Sequence, residues 1–575
     1  MHRLAAPLLA LTLAAQKSDQ PLVRVTTRLV EINVIVRDKG GPVRDLSQDD
    51  FVLTEKGKPR KIAFFQKYDS TAPAPPMSSA TPAAPGIVTN RPTGSTPRLN
   101  VTIVLLDGLN TAVKDQDYAK QQFLAYLKQV RPEDRIAVYT LGSQLRVLND
   151  FTNDASRLAA AVAKFTGANT GVTDTEIHGA TAASTEGNDE IVAEAIENAM
   201  NDLISDRSVR IRAETTAAAM EAIANHISGI PGRKNLIWIS SSFPFVIGHI
   251  GDGQANSEDT AFDNDINGVT AAKRGGGAAQ NTALYQVNDR DGNPARTQMN
   301  FTREIERATM ALNNAGIAVY PIDARGLTVL PKSMTVEQNY GRSKVDAIMP
   351  SAASSSTITT GSTAMHALAD NTGGIIFQNG NDLRKAIQTA VEDGEVTYTL
   401  GFYPDPSTLD SKFHDLKVQV KRKDVEVRYR KGYLAMPESA AAKNRVDTVR
   451  AALDSPLPAT GITLTAGAEK GDKPAAMRLM VAIEPREITL EQKDGKWTGA
   501  LDLVFAQRSA DGTHLNVSTT PLGLSLDASQ HDKIFQYGFS FTKNIDLAAG
   551  AVEVRVLVAD RASGRMGTLT VPVPR

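Results

Sequence analysis

Apolar and polar residues alternate strictly in the first patterned segment of the chain. From residue 27 to 38 every second position is apolar, as in a half-buried β-strand. Turns at Gly40-Gly41-Pro42 and Lys56-Gly57-Lys58 separate this strand from further apolar stretches. Residues 22–67 are therefore predicted to form a small N-terminal β module. Residues 68–98 are rich in Pro, Ala, Ser and Thr, which predicts an extended linker or a poorly ordered loop.

From residue 99 the pattern changes to apolar strands that alternate with helices of 3.6-residue period. Such alternation predicts a doubly wound, Rossmann-like α/β domain with a parallel sheet, assigned to residues 99–437. Its strands are predicted at 101–106, 136–141, 236–240, 317–322, 374–378 and 397–403. Its main helices are predicted at 116–130, 208–227, 302–314, 363–370 and 382–392. Two further strands, 416–420 and 425–429, are predicted to form a β-hairpin at its end.

Three long insertions interrupt the α/β pattern. Residues 167–205 begin as a Gly/Thr-rich loop and continue as an extra amphipathic helix, residues 247–300 are polar and glycine-rich, and residues 328–361 end in a Ser/Thr run. Loops of this length are functional lids or disordered excursions, and the composition of 247–300 favours disorder. Beyond them, short strands within residues 455–575 predict a C-terminal β-sandwich, with strands at 477–483, 497–505, 535–541 and 552–558.

Composition and the first residues restrict the class of protein. The chain has 575 residues, enough for several domains, with 63 basic and 64 acidic side chains, so no net positive charge attracts nucleic acid. The absence of cysteine excludes disulfides, thiolate metal sites and cysteine nucleophiles. A basic start, a short apolar stretch and Ala14-Ala15 predict a signal peptide over residues 1–15 and hence export to the periplasm, cell surface or medium. No later segment is apolar enough to span a membrane.

The candidate chemistry lies where the first apolar strand of the α/β domain ends. Asp107 follows that strand directly, and Gly108-Leu109-Asn110-Thr111 adds further polar side chains. A strand that delivers a carboxylate to its C-terminal end places hard oxygen ligands at the mouth of an α/β sheet. The sequence therefore predicts a polar site here, either a metal site or a hydrogen-bonded loop cap.

Other constellations of reactive residues give little support for catalysis or metal binding. The chain has no zinc-protease, nucleophile-elbow or phosphate-loop motif, and its eight histidines show no metal-ligand spacing. The acidic stretch Asp263 to Gly268 fits the first half of a calcium loop, but Arg274 stands where the closing acid is needed. We expect no enzyme activity, although a hydrolase with an unrecognised site stays as a third, weaker alternative.

Six stretches follow one another in a fixed order: NVTIVLLDGLNT, DRIAVYTLGSQLRVLNDFTND, IPGRKNLIWISSSFP, AGIAVYPIDARGL, LADNTGGIIFQNGNDLRKAI and YTLGFYPDP followed by VRYRKGYLA. In this order they resemble the von Willebrand factor A (VWA) related proteins that are abundant in acidobacteria. The resemblance covers about residues 23–435, includes the β module that precedes the A domain in those proteins, and implies a VWA-like fold.

The resemblance also implies a metal-ion-dependent adhesion site (MIDAS). In A domains this site combines Asp-x-Ser-x-Ser after the first strand, a threonine before a later helix and an aspartate after the fourth strand. By this resemblance Asp107 and Thr111 take the first and fifth positions, and Leu109 replaces the middle serine. The later threonine corresponds to Thr215 or Thr216.

The second aspartate of the adhesion site is missing. The sequence offers Ser240, Ser241 and Ser242 in its place, and Asp323 is another carboxylate on the same rim. The predicted ligand set, Asp107, Thr111, Thr215 and Ser241, is thus degenerate. With one carboxylate left, Mg²⁺ or another divalent cation is expected to bind weakly, and a metal-free loop cap is favoured.

Together these features predict an exported protein-interaction or adhesion-type protein whose partner is a protein or a cell-envelope component. The α/β domain would carry the binding rim, flanked by the N-terminal β module and the C-terminal β-sandwich. The alternative is a metal-free structural scaffold of a cell-envelope assembly, in which the β modules rather than the rim hold the partners.

Overall fold

The computed structural model describes most of the chain outside its long insertions. The described residues are 29–71, 86–91, 100–165, 188–241, 302–325, 365–378, 380, 382–435, 438–473, 475–493 and 495–574. The predicted signal peptide, insertions 247–300 and 328–361 and the Asp263 loop lie outside the described residues. Among the helices that are described, none combines the length and apolar character needed to span a membrane.

The segment before residue 92 forms six short strands and no α-helix within its described part. They are β1 (Val30–Asp38), β2 (Gly41–Pro42), β3 (Phe51–Glu55), β4 (Lys58–Arg60), β5 (Phe64–Asp69) and β6 (Ile87–Thr89). The alternating burial along β1 and β3 matches their sequence pattern, because successive side chains of a strand face opposite sides.

The next segment is an α/β layer structure, as predicted. Its elements are β7 (Asn100–Asp107), α1 (Val113–Leu127), β8 (Asp134–Leu141), β9 (Leu145–Thr152), α2 (Ala155–Ala163), α3 (Asn188–Ile227), β10 (Lys234–Ser240), α4 (Thr302–Asn314), β11 (Ile317–Asp323), a helical stretch over 365–372 and α5 (Leu383–Glu392). The strand order is β11-β10-β7-β8-β9, parallel except for β9. Apolar clusters cover both faces of this sheet.

The strand predicted at 374–378 is shorter in the structure. Only a parallel bridge between Ile322 and Phe377 continues the sheet beyond β11. Close packing limits this segment, since a Cβ on Gly374 would lie 1.8 Å from the carbonyl oxygen of Val319.

The strand predicted at 397–403 does not belong to the doubly wound sheet. The chain continues with β12 (Val396–Phe402), β13 (Phe413–Val420), β14 (Glu426–Arg428) and β15 (Gly432–Leu434). β12 pairs antiparallel with β1 and β5, and β14 pairs with β1. β13 pairs with β3 and β15, so the predicted hairpin of β13 with β14 is wrong.

The N-terminal β module is therefore built from both sides of the α/β domain. Its two sheets, β14-β1-β12-β5 and β15-β13-β3-β4, enclose a single apolar cluster with contributions from residues 30–62 and 396–435. The boundaries predicted at 22–67 and 99–437 need correction accordingly. An apolar run such as that of β12 indicates a buried strand, but it carries no information about which sheet buries it.

The C-terminal part begins with α6 (Glu438–Asp454) and continues as two β-sheets around one core. Its elements are β16 (Leu464–Lys470), β17 (Ala476–Ile483), β18 (Glu491–Lys493), β19 (Lys496–Arg508), β20 (His514–Leu526), α7 (Ala528–Tyr537), β21 (Phe539–Asp546), β22 (Glu553–Asp560) and β23 (Met566–Pro572). One sheet has the order β21-β17-β16-β6, and the other contains β18-β19-β22-β23 with β20 paired to β19. The strand predicted to start at residue 535 starts at Phe539, because residues 528–537 form a capped helix.

Part of the predicted linker is a strand of this C-terminal sandwich. β6 pairs with β16, and the neighbouring Asn90 is 5% exposed. Its Nδ2 donates to the carbonyl oxygens of Ala459 and Ile462 at 2.7 and 2.9 Å, and its Oδ1 accepts from the backbone N–H of Leu464 at 2.7 Å. The composition of residues 68–98 did not predict this strand, because a three-residue strand that pairs with a distant sheet leaves no local pattern in the sequence.

Helix α3 is longer than predicted and extends past the rim of the sheet. The amphipathic helix of insertion 167–205 and the helix at 208–227 are one continuous helix of 40 residues. Thr216 of this helix contacts the loop after β7 at the carboxyl edge of the sheet. As a straight helix, the residues before Thr216 would extend about 40 Å beyond that edge at 1.5 Å per residue.

Candidate functional site

The strand order places the candidate site at the topological switch point of the sheet. β7 is the first strand of the domain, and its two neighbours, β8 and β10, continue the chain in opposite directions across the sheet. In open α/β sheets ligands bind outside the carboxyl ends of the strands at such a point. Asp107 ends β7, Ser240 ends β10 and Asp323 ends β11, so all three lie along one edge.

Asp107 is a buried carboxylate surrounded by hydrogen-bond donors. Asp107 is 2% exposed. Oδ1 accepts from the backbone N–H groups of Leu109 and Asn110, both at 3.0 Å. Oδ2 accepts from Asn110 Nδ2 at 2.9 Å, Trp238 Nε1 at 2.9 Å and Ser240 Oγ at 3.0 Å. Burial raises the pKa of Asp107, and these donors act in the opposite direction.

The loop after β7 is held by the other residues of the predicted set. Thr111 Oγ1 accepts from the backbone N–H of Ser241 at 3.1 Å. Ser241 Oγ donates to Asp115 Oδ2 at 3.0 Å, so its hydroxyl points away from Asp107. Thr111 and Ser241 thus connect the ends of β7 and β10. Their hydroxyl groups form hydrogen bonds within the protein.

Of the two candidate threonines, Thr216 and not Thr215 lies at the site. Thr216 is fully buried, accepts from Asn110 Nδ2 at 2.9 Å and donates to the carbonyl oxygen of Arg212 at 2.8 Å. Thr215 is half-buried, one position further round the helix. The assignment of Thr215 as a ligand is corrected on this ground: a shift of one helical residue turns a side chain by about 100°.

Asp323 lies on the same edge but is paired with a cation. Arg325 donates to it through Nε at 2.9 Å and Nη2 at 2.7 Å, and through its backbone N–H at 3.0 Å. A bidentate guanidinium occupies the lone pairs that a metal would need. Asp323 is therefore no substitute for the missing second aspartate of the adhesion site.

The donor set does not fit a divalent cation. Mg²⁺ needs near-octahedral oxygen coordination at about 2.0–2.1 Å. Both oxygens of Asp107 are already engaged by five donors, and Trp238 Nε1–H can only donate, so it occupies space at the carboxylate without acting as a ligand. Within the described residues no group of three or more His, Cys, Asp or Glu is arranged to hold a metal.

Space at the site is small. A cavity of about 10 Å³ lies under the loop, lined by Leu106, Asp107, Gly108, Thr111, Gln116, Ala119, Phe165 and Ile239. This volume is enough for about one water molecule. The loop is therefore packed onto the sheet and does not enclose a pocket for an organic substrate.

Sequence reasoning missed the residues that complete the cage around Asp107. Asn110 bridges Asp107 to Thr216, and Trp238 donates from the middle of β10. Trp238 occurs two positions before Ser240, so both side chains lie on the same side of the strand. A tryptophan in a strand next to a strand that ends in aspartate is the signal that could have indicated this bond.

Replacing Asp107 by asparagine is expected to destabilise the protein by about 2–4 kcal/mol. The amide would turn an NH₂ group toward donors that need an acceptor, and it would leave buried donors such as Trp238 Nε1 unsatisfied. Urea unfolding followed by tryptophan fluorescence measures the change. The matched control is Asp115→Asn, where a half-buried carboxylate accepts from Ser241 Oγ, with an expected cost below about 1 kcal/mol. Equal costs for the two variants would contradict the buried cage.

Among known proteins, this chain shows similarity only to solved structures. No family model matches the chain, and no curated protein matches it. The structure is similar to the von Willebrand factor domain of the type V pili tip protein Mfa5 from Porphyromonas gingivalis, at 11% identity and a TM-score of 0.19, over 39% of this chain and 79% of that one. It is also similar to a von Willebrand factor type A protein from Catenulispora acidiphila, at 10% identity and a TM-score of 0.21, over 89% and 74% of the two chains.

A third similar structure is the pilus adhesin SpaC from Lactobacillus rhamnosus GG. It has 9% identity and a TM-score of 0.25, over 92% of this chain and 62% of that one. At these values the likenesses identify neither a shared family nor a shared activity. The strand order and the hydrogen bonds around Asp107 define the site.

Proposed function

We propose that this chain is an exported protein-interaction or adhesion-type protein of the acidobacterial VWA-related type. Its VWA-like α/β domain would bind a partner protein or a cell-envelope component at the rim where β7, β10 and β11 end. In this proposal the rim is a degenerate MIDAS that keeps Asp107 and Thr111 but works without a metal, and no catalytic step is involved.

The single observation that carries the proposal is the full use of Asp107 inside the protein. Five donors hold its carboxylate, and residues 107–111 are all buried, so the loop at the switch point is packed into the protein and its carboxylate is not free to bind a metal. Only about 10 Å³ is enclosed beneath that loop. Among the described residues this loop lines no pocket that could hold an organic ligand, which favours a macromolecular partner, because small ligands are bound in concave sites.

Two neighbouring features support the rim as the contact surface. Val113, the first residue of α1, is 50% exposed directly after the loop. Helix α3 continues past the same edge of the sheet, although it packs on the opposite face from α1. An exposed apolar side chain and a helix that projects past the same edge of the sheet are features that protein partners can use.

The test is binding of the full-length chain to the native cell-envelope fraction, measured by co-sedimentation with and without EDTA. We expect unchanged binding in EDTA and at least a tenfold loss of affinity for Val113→Glu, which places a charge on the rim. The matched control is Val446→Glu, a 66% exposed valine on α6, which should bind like the original chain.

Other outcomes separate the alternatives. Loss of binding in EDTA, reversed by Mg²⁺, would favour a metal-dependent rim and contradict this proposal. If Val113→Glu binds normally while deletion of residues 443–575 abolishes binding, the metal-free scaffold is favoured instead. The deletion also removes β16, the partner of β6, so folding of the shortened chain needs a circular dichroism check.

A further inference from the structure

Strand β20 forms a long edge of the second C-terminal sheet. It has 13 residues and pairs along one side with β19, from Trp497↔Leu526 to Arg508↔His514. No other strand of the described part pairs with its second side. A strand edge exposes a row of backbone N–H and C=O groups that can accept another strand.

The pairing of β19 shows which groups of β20 point outward. Two backbone bonds at the ends of β22 fix the alternation: the N–H of Arg561 donates to Ala500 O at 3.0 Å, and the N–H of Val552 donates to Arg508 O at 2.9 Å. The backbone N–H and C=O groups of even-numbered residues of β19 therefore point toward β22. The backbone groups of odd-numbered residues of β19 point toward β20, where they pair with even-numbered residues such as Asn516 and Ser518. The N–H and C=O groups of Val517 and Thr519 consequently point away from the sheet.

This stretch of β20 is exposed on both faces and carries no charge to protect it. Residues 515–519 are all exposed, with Leu515 at 39% and Val517 at 48%. No Lys, Arg, Asp or Glu occurs between His514 and Leu526. Other edge strands are protected by charged side chains, for example Arg146 and Asp150 on β9.

Proline limits how far the open edge runs. Pro521 is an outward-facing residue by the same alternation, and it has no N–H to donate. The usable edge is therefore residues 514–520, a line of about 20 Å at 3.3 Å per residue. A second folded copy would have to bury about 800 Å² on each partner, most of it outside this line. One extended segment can pair along the line without any further contact.

We propose that the edge 514–520 of β20 binds an extended segment of another protein by strand addition. The segment would be five to seven residues long and uncharged in its middle, because residues 515–519 carry no charge. Within the described residues, charged groups reach only the two ends of the edge, where Lys543 Nζ donates to Thr520 Oγ1 at 2.9 Å and Asp454 lies 3.2 Å from His514. It would carry a β-branched residue next to Val517 on the outer face and hydroxyl or amide side chains next to Asn516 and Ser518. Main-chain bonds to Val517 and Thr519 would hold it, and the side chains would select it. This surface is separate from the rim of the α/β domain.

The test uses the full-length chain and a fluorescein-labelled peptide, acetyl-Ser-Thr-Val-Thr-Val-Thr-Ser-amide, followed by fluorescence anisotropy. We expect saturable binding that Val517→Lys weakens at least tenfold, while Val446→Lys on α6 leaves it unchanged. The same peptide N-methylated at alternate residues keeps its side chains but loses outward donors, and we expect it not to bind. Hydrogen exchange of the Val517 and Thr519 amides should slow at least tenfold on binding.

Four results would overturn the proposal. They are no binding of the peptide, equal binding to the chain and to Val517→Lys, equal binding of the N-methylated peptide, and protection of the Val517 and Thr519 amides before peptide is added. In the last case a monomer by light scattering would indicate that another part of this chain covers the edge, and a dimer would indicate a second copy. None of these results bears on the EDTA test of the rim.

Discussion

Asp393→Ala is expected to destabilise the protein by about 3–5 kcal/mol. The Asp393 side chain is fully buried just after α5 and accepts from Arg428 Nη1 and Nη2 at 2.5 and 2.8 Å and from Tyr320 Oη at 2.9 Å. Arg37 lies 3.5 Å away. Removing one partner of a buried ion pair leaves cationic groups without compensation, and such losses cost about this much.

Guanidinium chloride unfolding measures the cost, and Arg428 supplies the matched control. The same guanidinium also contacts Glu426 at 3.1 Å, but that carboxylate is 67% exposed. Because exposed pairs contribute about 0–1 kcal/mol, Glu426→Ala should be nearly silent. A change of less than about 1 kcal/mol for Asp393→Ala would show that this network does not hold the α/β domain to β1 and β14.

Lys234→Met is expected to stabilise the protein by about 2–3 kcal/mol at pH 7, the sign opposite to that of Asp393→Ala. It removes a desolvation cost of about 4 kcal/mol but also the hydrogen bond to the Ile230 carbonyl oxygen. Lys234 begins β10 and is 3% exposed, and its Nζ donates to the carbonyl oxygen of Ile230 at 2.5 Å. Burial lowers the pKa of Lys234 from 10.5 to about 7, while Glu31 acts weakly in the other direction. Methionine has nearly the same length and no charge to desolvate.

The pH dependence gives an independent check on Lys234. Between about pH 7 and 10.5 the unfolded chain binds the lysine proton and the folded chain does not, so the free energy of unfolding should rise with pH in this window. Lys234→Met should lose that rise. The control Lys385→Met removes an exposed lysine of α5 and should change stability by less than about 0.5 kcal/mol. A rise that persists in Lys234→Met would assign it to another group.

Local patterns predicted the α/β sheet well, and long-range pairing explains most of the errors. β7, β8, β10 and β11 follow from short apolar runs, each preceded or followed by an amphipathic helix. β12 shows the same kind of run, yet its partners β1 and β5 lie more than 300 residues earlier in the chain. The β6 strand and the separation of β13 from β14 were missed for the same reason, since periodicity reports burial and not partners.

At the candidate site the sequence indicated the location but not the chemistry. Asp107 was found because a strand end at a switch point places it there. Asn110 and Trp238 complete its cage through geometry that only the packed sheet defines. Thr216 was inseparable from Thr215, because the insertion before α3 removed any fixed spacing from which to count. Nothing in the sequence indicated that Asn110, Trp238 and Ser240 would donate to this carboxylate, because each of them is an ordinary residue until the sheet brings it there.

The return of the chain to β1 after the whole α/β domain has an implication for how the protein is made. Tyr398 donates its hydroxyl to the Val43 carbonyl oxygen and accepts from the Leu46 backbone N–H, across 352 residues in the latter case. During synthesis β1 emerges before the α/β domain but has to remain without its main partners until β12 appears. The α/β domain can fold in the meantime, since its own strands are contiguous. A chaperone that shields residues 30–55 would therefore be needed until β12 has been made, and a chain truncated before residue 396 would leave an apolar strand edge uncovered.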